Sequence, residues 1–282
     1  MAESAPDAKA KKVWLPLESD PELLDKYMYG LGVKPTVRFA EVYGLDEELL
    51  GLVPRPVHAV MMLFPVSEES EKARIEEAER LKSEGYEAPS KIFWMKQIVG
   101  NACGTIALIH ALANNRESGA KVVLKEGKFL SKFLSQVESQ GADPAVALEE
   151  DDDIEQQHQE IATEAKSDPN AQINDDLHFI AFVNVDGIMY ELDGRKTGPI
   201  PHGPVGDDLL ASAVRVAQEF VARKPSDPRF SLLALVDNED YVEGEDDADA
   251  AEIEAEDEDE AVAEGETEPA TVTVADGQAQ SE

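Results

Sequence analysis

The sequence predicts a mixed α/β domain of the α+β kind, with helices layered on a sheet that includes antiparallel strands. Three observations carry this reading. Apolar runs of strand length alternate along the chain with stretches of helical period. Two such runs, within residues 178–192, flank Asp186-Gly187, the dipeptide preferred in a two-residue hairpin turn. Residues 101–114 are apolar on nearly every side, through Ala102, Ile106, Leu108, Ile109, Ala111 and Leu112. A helix without a polar face belongs in an interior.

Each element has a local reason. Asp20 followed by Pro21 reads as an N-cap and first helical position, opening a helix that runs to about Leu31 and is ended by Gly32. Residues 36–42 alternate as a strand, broken by Gly44. Residues 46–53 form a short helix stopped by Pro54 and Pro56, and the continuous apolar run 57–64 is a central strand. Ser67 opens a charged helix over 67–84 through a Ser-x-x-Ser cap, with Gly85 after it. Phe129, Leu130, Phe133 and Leu134 mark an amphipathic helix over 127–137. Residues 142–174 are acidic and aperiodic, a long loop with a short helix near 154–165. A helix over 206–223 and a strand over 229–236 complete the domain. The predicted organisation is a flexible N-terminus at 1–12, one domain over 13–236, and a disordered acidic tail over 237–282 that has too little apolar surface to fold.

The 282 residues carry a formal net charge of -35. The last 46 residues hold 20 Asp and Glu and no Lys or Arg, which leaves 25 basic against 40 acidic residues elsewhere, a net of -15. Such a surface repels phosphate, so nucleic acid is excluded as a partner and a basic protein partner is favoured. The longest apolar run, 59–66, is too short to span a bilayer, and the basic start of the chain lacks the apolar run of a signal peptide. A single cysteine permits no internal disulfide. The expectation is a monomer of the cytoplasm or nucleus, with no membrane partner, no cofactor and no metal.

That cysteine, Cys103, stands at the start of the buried helix, where the partial positive charge of the helix N-terminus favours a thiolate. A two-residue turn at Asp186-Gly187 sets Val185 opposite Ile188 and Ile180 opposite Asp193. Side-chain alternation then brings His178 and Asp193 to one sheet face as diagonal neighbours, about 7 Å apart at Cβ. A histidine can take the thiol proton and return it to a leaving amine, and a carboxylate can hold the ring. The competing reading of the pair is a structural cross-strand contact. Gln97, six residues before Cys103, offers a side-chain amide for an oxyanion, beside the backbone N–H of Cys103. The other histidines read as structural or solvated: His110 lies two turns along the helix, His58 beside a strand, His158 in the acidic stretch and His202 among prolines.

At this point the residues resemble a known family. Phe93-Trp-Met-Lys-Gln97-Ile-Val-Gly-Asn101-Ala-Cys103-Gly-Thr-Ile-Ala-Leu-Ile-His110 resembles the active-site region of the ubiquitin carboxyl-terminal hydrolases, small papain-like thiol proteases. Leu177-His178-Phe-Ile-Ala-Phe-Val and Tyr190-Glu-Leu-Asp193-Gly-Arg-Lys resemble the family's histidine and aspartate motifs. The resemblance extends from about Val13 to Val236. It implies a three-layer α/β/α papain-like domain with a central antiparallel sheet and a knotted backbone. It also implies catalytic roles for Cys103, His178, Asp193 and Gln97, ubiquitin as partner, and a crossover loop over the active site near 147–173. The implied activity is deubiquitination by hydrolysis of small or unfolded adducts at the ubiquitin C-terminal glycine, in ubiquitin recycling and precursor processing. Two alternatives stand beside it: a hydrolase for a ubiquitin-like modifier, and a non-catalytic ubiquitin-binding protein.

Overall fold

The computed structural model describes residues 12–116, 122–164 and 176–242. Contacts divide the chain after Asp240, and the folded domain belongs to the unit Met1–Asp240. The N-terminal segment expected up to Lys12 and the acidic tail expected from Asp237 lie outside the described residues, apart from Lys12 and 237–242.

A six-stranded antiparallel sheet forms the middle layer. Its strands are β1 (Val37–Glu41), β2 (Val57–Pro65), β3 (Leu177–Val185), β4 (Ile188–Leu192), β5 (Ile200–Pro204) and β6 (Ser231–Asp237), in the order β1-β6-β2-β3-β4-β5. The run 57–64 is central as expected. Alternation along β2 divides its side chains between two cores: Met61 joins one, Met62 the other.

One face is covered by α1 (Pro21–Gly30), α4 (Cys103–Ala113), α5 (Phe129–Gln140), α6 (Pro144–Glu150) and α7 (Asp152–Glu164), whose Leu24, Ile106, Leu130, Leu148 and Ile154 pack with Phe179 and Leu192 of the sheet. The other face is covered by α8 (Leu209–Arg223), with Leu210, Val214 and Phe220 against Phe64, Ile180 and Phe182. The helix α3 (Glu68–Ser83) contacts α8, and α2 (Glu47–Leu50) is a single turn. Helix, sheet and helix make the three expected layers.

The capping chemistry is visible. Asp20 accepts from the backbone N–H of Leu23 with Pro21 behind it, and Ser67 and Ser70 close a reciprocal capping box on α3. All eleven residues of α4 are buried, as its apolar circumference requires.

One expectation needs correction, and one strand was not foreseen. The stretch expected to be a long loop with a short helix near 154–165 carries that helix as α7 and a further helix, α6, before it. Asp143 caps Pro144, an Asp-Pro signal identical to the one that opens α1, and Ile154, His158, Ile161 and Ala162 form a buried stripe. The acidic residues of α7 lie away from this stripe, and α7 is the short helix expected near 154–165. The remainder of the expected crossover loop, from 165, lies outside the described residues. The unforeseen strand is β5. Its prolines concealed a strand, yet Pro201 and Pro204 are tolerated because β5 is at the sheet edge, with one side free of ladder bonds.

Candidate active site

The hairpin sets the geometry. Asp186 and Gly187 both adopt positive φ, 54° and 80°, the conformation of a type I′ turn. Pairing then runs Val185 with Ile188 through Ala181 with Leu192, the expected register. Asp193 follows one residue after β4, and His178 stands second in β3. His178 Nε2–H donates to Asp193 Oδ1 at 2.7 Å, and the same oxygen accepts from Arg195 N–H at 2.7 Å.

Cys103 comes from the opposite layer. Ala102 occupies the N-cap of α4 and gives no side-chain hydrogen bond, so the first-turn N–H groups keep their positive field without a competing carboxylate. Asn101 takes the left-handed conformation, φ 59°, and its Nδ2 donates to the Trp14 carbonyl at 3.1 Å, turning the chain into the helix. Gly104 is fixed by crowding: a Cβ there would lie 2.9 Å from Leu17 Cδ1 and 3.3 Å from Phe179 Cδ2. Side chains fill the space that a Cβ would occupy.

Electrostatics tie the three groups together. Burial pushes the Cys103 thiol up, but a hydrogen bond from His178, its charge, and N–H groups of Phe179 and Gly104 outweigh this and leave the thiol below its ordinary value. Burial alone would lower His178, yet Asp193 and Cys103 raise it to about 9. Burial opposes ionisation of Asp193, and the His178 charge and hydrogen bond bring it down to about 2. These shifts favour a thiolate–imidazolium pair with a carboxylate behind it. These three groups lie below the surface: Cys103 is 9%, His178 4% and Asp193 3% exposed.

Gln97 is held beside them by both partners' elements. Its backbone N–H donates to the Gly194 carbonyl at 2.9 Å, and Gly194 has no room for a side chain, because a Cβ would lie 2.9 Å from Gln97 Cβ. Nε2 donates to the Val99 carbonyl at 3.1 Å, which leaves its second N–H for another acceptor. Two residues at the end of α4 clamp the segment leading to Gln97. Asn114 exchanges two hydrogen bonds with the Phe93 backbone, each 2.9 Å, and His110 Nε2 accepts from Met95 N–H at 3.0 Å. Burial lowers His110 to about 4, so it stays neutral and can accept.

The remaining histidines are structural. His158 bridges Thr105 Oγ1 at 2.7 Å and the Leu15 carbonyl at 2.6 Å, His58 meets Asp237 at 2.8 Å, and His202 meets Glu191 at 2.9 Å. Sequence reasoning passed over Trp94, whose Nε1–H donates to the Asp193 carbonyl at 3.1 Å, and Glu191 with Lys196, an ion pair at 2.6 Å. The signal for Glu191 was present: it precedes Asp193 by two residues and shares its face.

Comparisons with known proteins agree with this arrangement. The sequence model described as ubiquitin carboxyl-terminal hydrolase, family 1, matches residues 14–222. A ubiquitin carboxyl-terminal hydrolase of Drosophila melanogaster is 44% identical over 227 residues, covering 79% of this chain and 96% of that protein. Ubiquitin carboxyl-terminal hydrolase 3 of Arabidopsis thaliana is 40% identical over 235 residues, covering 82% and 97%. Among solved structures, the chain is similar to the UCH37 catalytic domain of Trichinella spiralis bound to ubiquitin vinyl methyl ester. The TM-score is 0.62 at 24% identity, covering 82% of this chain and 98% of that one, a likeness of fold.

Proposed function

The chain belongs to ubiquitin carboxyl-terminal hydrolase family 1, and from that premise we propose that Cys103 is its nucleophile, His178 its acid and base, Asp193 the orienting carboxylate and Gln97 an oxyanion donor. The enzyme is a cysteine-type hydrolase, and its substrates are adducts at the ubiquitin C-terminus. The observation that carries the residue roles is the position of His178, hydrogen-bonded to Asp193 through Nε2 and electrostatically coupled to the Cys103 thiol.

The chemistry follows from that geometry. The Cys103 thiolate attacks the carbonyl carbon of the terminal glycine, and the charge on the former carbonyl oxygen is met by N–H groups at the start of α4 and the Gln97 amide. The His178 imidazolium gives its proton to the departing amine as the carbon–nitrogen bond breaks, leaving a thioester on Cys103. His178, now neutral, takes a proton from water, whose oxygen attacks the thioester carbon. Collapse releases the ubiquitin carboxylate and restores the thiolate–imidazolium pair. Asp193 keeps one ring orientation throughout.

Small or unfolded adducts are the favoured leaving groups, supported by the depth of Cys103 and His178, which a substrate reaches only as an extended chain. A monomer acting in ubiquitin recycling and precursor processing, in the reducing cytoplasm or nucleus that keeps the single cysteine free, fits these features. The test is turnover of a ubiquitin C-terminal fluorogenic amide beside folded di-ubiquitin and a ubiquitin-like modifier amide. The reading predicts turnover of the ubiquitin amide, and its loss in Cys103→Ser. Equal turnover of folded di-ubiquitin would refute the adduct preference, and preference for the other modifier would reassign the substrate.

A further inference from the structure

Behind Asp193 lies a second set of buried charges that the mechanism does not use. Glu191, 1% exposed, has Lys196 Nζ 2.6 Å from one carboxylate oxygen and His202 Nε2 2.9 Å from the other. Lys196 is also paired with Glu77 of α3. All four line a cavity of about 240 Å³ together with Asp193. Lys196 further closes the turn that carries the catalytic carboxylate, its N–H donating to the Asp193 carbonyl at 3.1 Å. Removing two ions from water is costly, and an apolar pair of similar volume often serves stability as well, so a buried pair here calls for a further role.

We propose that the Glu191–Lys196 pair, closed by Glu77 and His202, is a positioning device for the active site: it fixes the Asp193 turn and sets the electrostatic potential around His178. Glu191 and Asp193 are two carboxylates on one face. Unscreened, Glu191 would add a second negative charge behind His178. Lys196 cancels it and adds a favourable field for the Asp193 carboxylate, while Asp193 in turn opposes ionisation of Glu191. The inference rests on the reading of Cys103, His178 and Asp193 as the reacting groups.

Other charges reach the pair from the surrounding layers. Cys103 of α4 acts on His178, and His110 and Lys96 both sense Asp193. Arg195 in the turn is paired with Glu71 of α3, which also holds Arg74, and Glu219 and Arg223 of α8 line the cavity. Substitutions within the buried set leave all of these in place, so differences report the pair alone.

The measurement is the midpoint of His178 ring titration, followed by NMR on the full chain, with the pH dependence of Cys103 alkylation as a second reading. The chain has one cysteine, so alkylation reports this site without background. Glu191→Gln leaves the Lys196 charge in excess and disfavours the imidazolium, lowering the midpoint by roughly half a pH unit or more. Lys196→Met leaves Glu191 uncompensated and raises it by a similar amount. The double variant returns toward the wild-type value. Glu77→Gln, on a partly exposed side chain, lowers the midpoint in a background expected to fold if either buried variant does not. A purely structural pair would give shifts of the same sign in Glu191→Gln and Lys196→Met, or none in Glu77→Gln, and either result overturns the proposal. Both readings are made without ubiquitin, so a failed turnover assay counts against the function and a failed titration pattern against this inference.

Discussion

Among single side chains, His178 is the one on which the proposed mechanism turns. Asp193 and Cys103 raise it to about 9 against burial, and its hydrogen bond and charge lower the Cys103 thiol despite burial. Asp193→Asn removes the carboxylate, weakens both effects and lowers kcat by roughly a hundredfold or more. The alkaline limb of the kcat/KM profile should move to lower pH, because an imidazolium without its counterion loses its proton sooner. The same pair shapes stability. A raised His178 contributes stability fully present below its ordinary value of 6.5 and lost as pH rises through about 9. A lowered Asp193 contributes stability present above its ordinary 3.8 and lost as pH falls through about 2. Urea denaturation of wild type and Asp193→Asn across pH should therefore show the largest difference between about 4 and 6.5, shrinking on either side. A pH-independent difference would contradict the ion-pair account.

The elements act by bringing those side chains into register. Helix α4 supplies Cys103 at its start, and His110 and Asn114 further along hold the segment that ends at Gln97. Gln97→Ala is expected to lower kcat by roughly a hundredfold with KM little changed. Gly194→Ala, with its added Cβ 2.9 Å from Gln97 Cβ, should lower kcat in the same direction while far-UV circular dichroism stays native. At the junction of α1 and β1, Asp25 accepts from Phe39 N–H at 2.7 Å, yet burial and the nearby Asp20 and Glu22 raise it to about 7. A raised carboxyl group stabilises the fold most at low pH and loses that contribution as pH rises from 3.8 through about 7. Asp25→Asn keeps an acceptor without the charge, so it should raise the thermal midpoint at pH 8 and leave it unchanged near pH 3. These elements also show how much a sequence can disclose. Asp186-Gly187 gave the hairpin register, and with it the face shared by His178 and Asp193, because turn geometry and strand period are local rules. The helix near 154–165 was legible as α7, whereas α6 and the strand β5 were not, because charge and proline obscure the period there. The clamp by His110 and the Glu191–Lys196 pair join residues far apart in sequence or orient side chains within a buried turn, and neither leaves a periodic trace.

For the whole molecule, three layers bring a helix start, a strand start and a hairpin exit to one end of the sheet, and the sheet itself holds them at fixed separation. Net charge acts over longer distances. The net charge of -15 outside the last 46 residues is expected to attract a basic partner surface, and that attraction should weaken as the Debye length shrinks from about 30 Å at 0.01 M salt to about 3 Å at 1 M. The expected outcome is a kcat/KM for ubiquitin substrates that falls with salt while kcat holds; a salt-independent kcat/KM would remove steering from the account. The claim on which the rest depends is that Cys103 attacks the ubiquitin C-terminus. Ubiquitin carrying a thiol-reactive electrophile in place of its terminal glycine carboxylate tests it by intact mass. One covalent ubiquitin per chain, absent in Cys103→Ser and mapped to the Cys103 peptide, is the predicted result; an unmodified wild-type chain, or an adduct that survives Cys103→Ser, would contradict it.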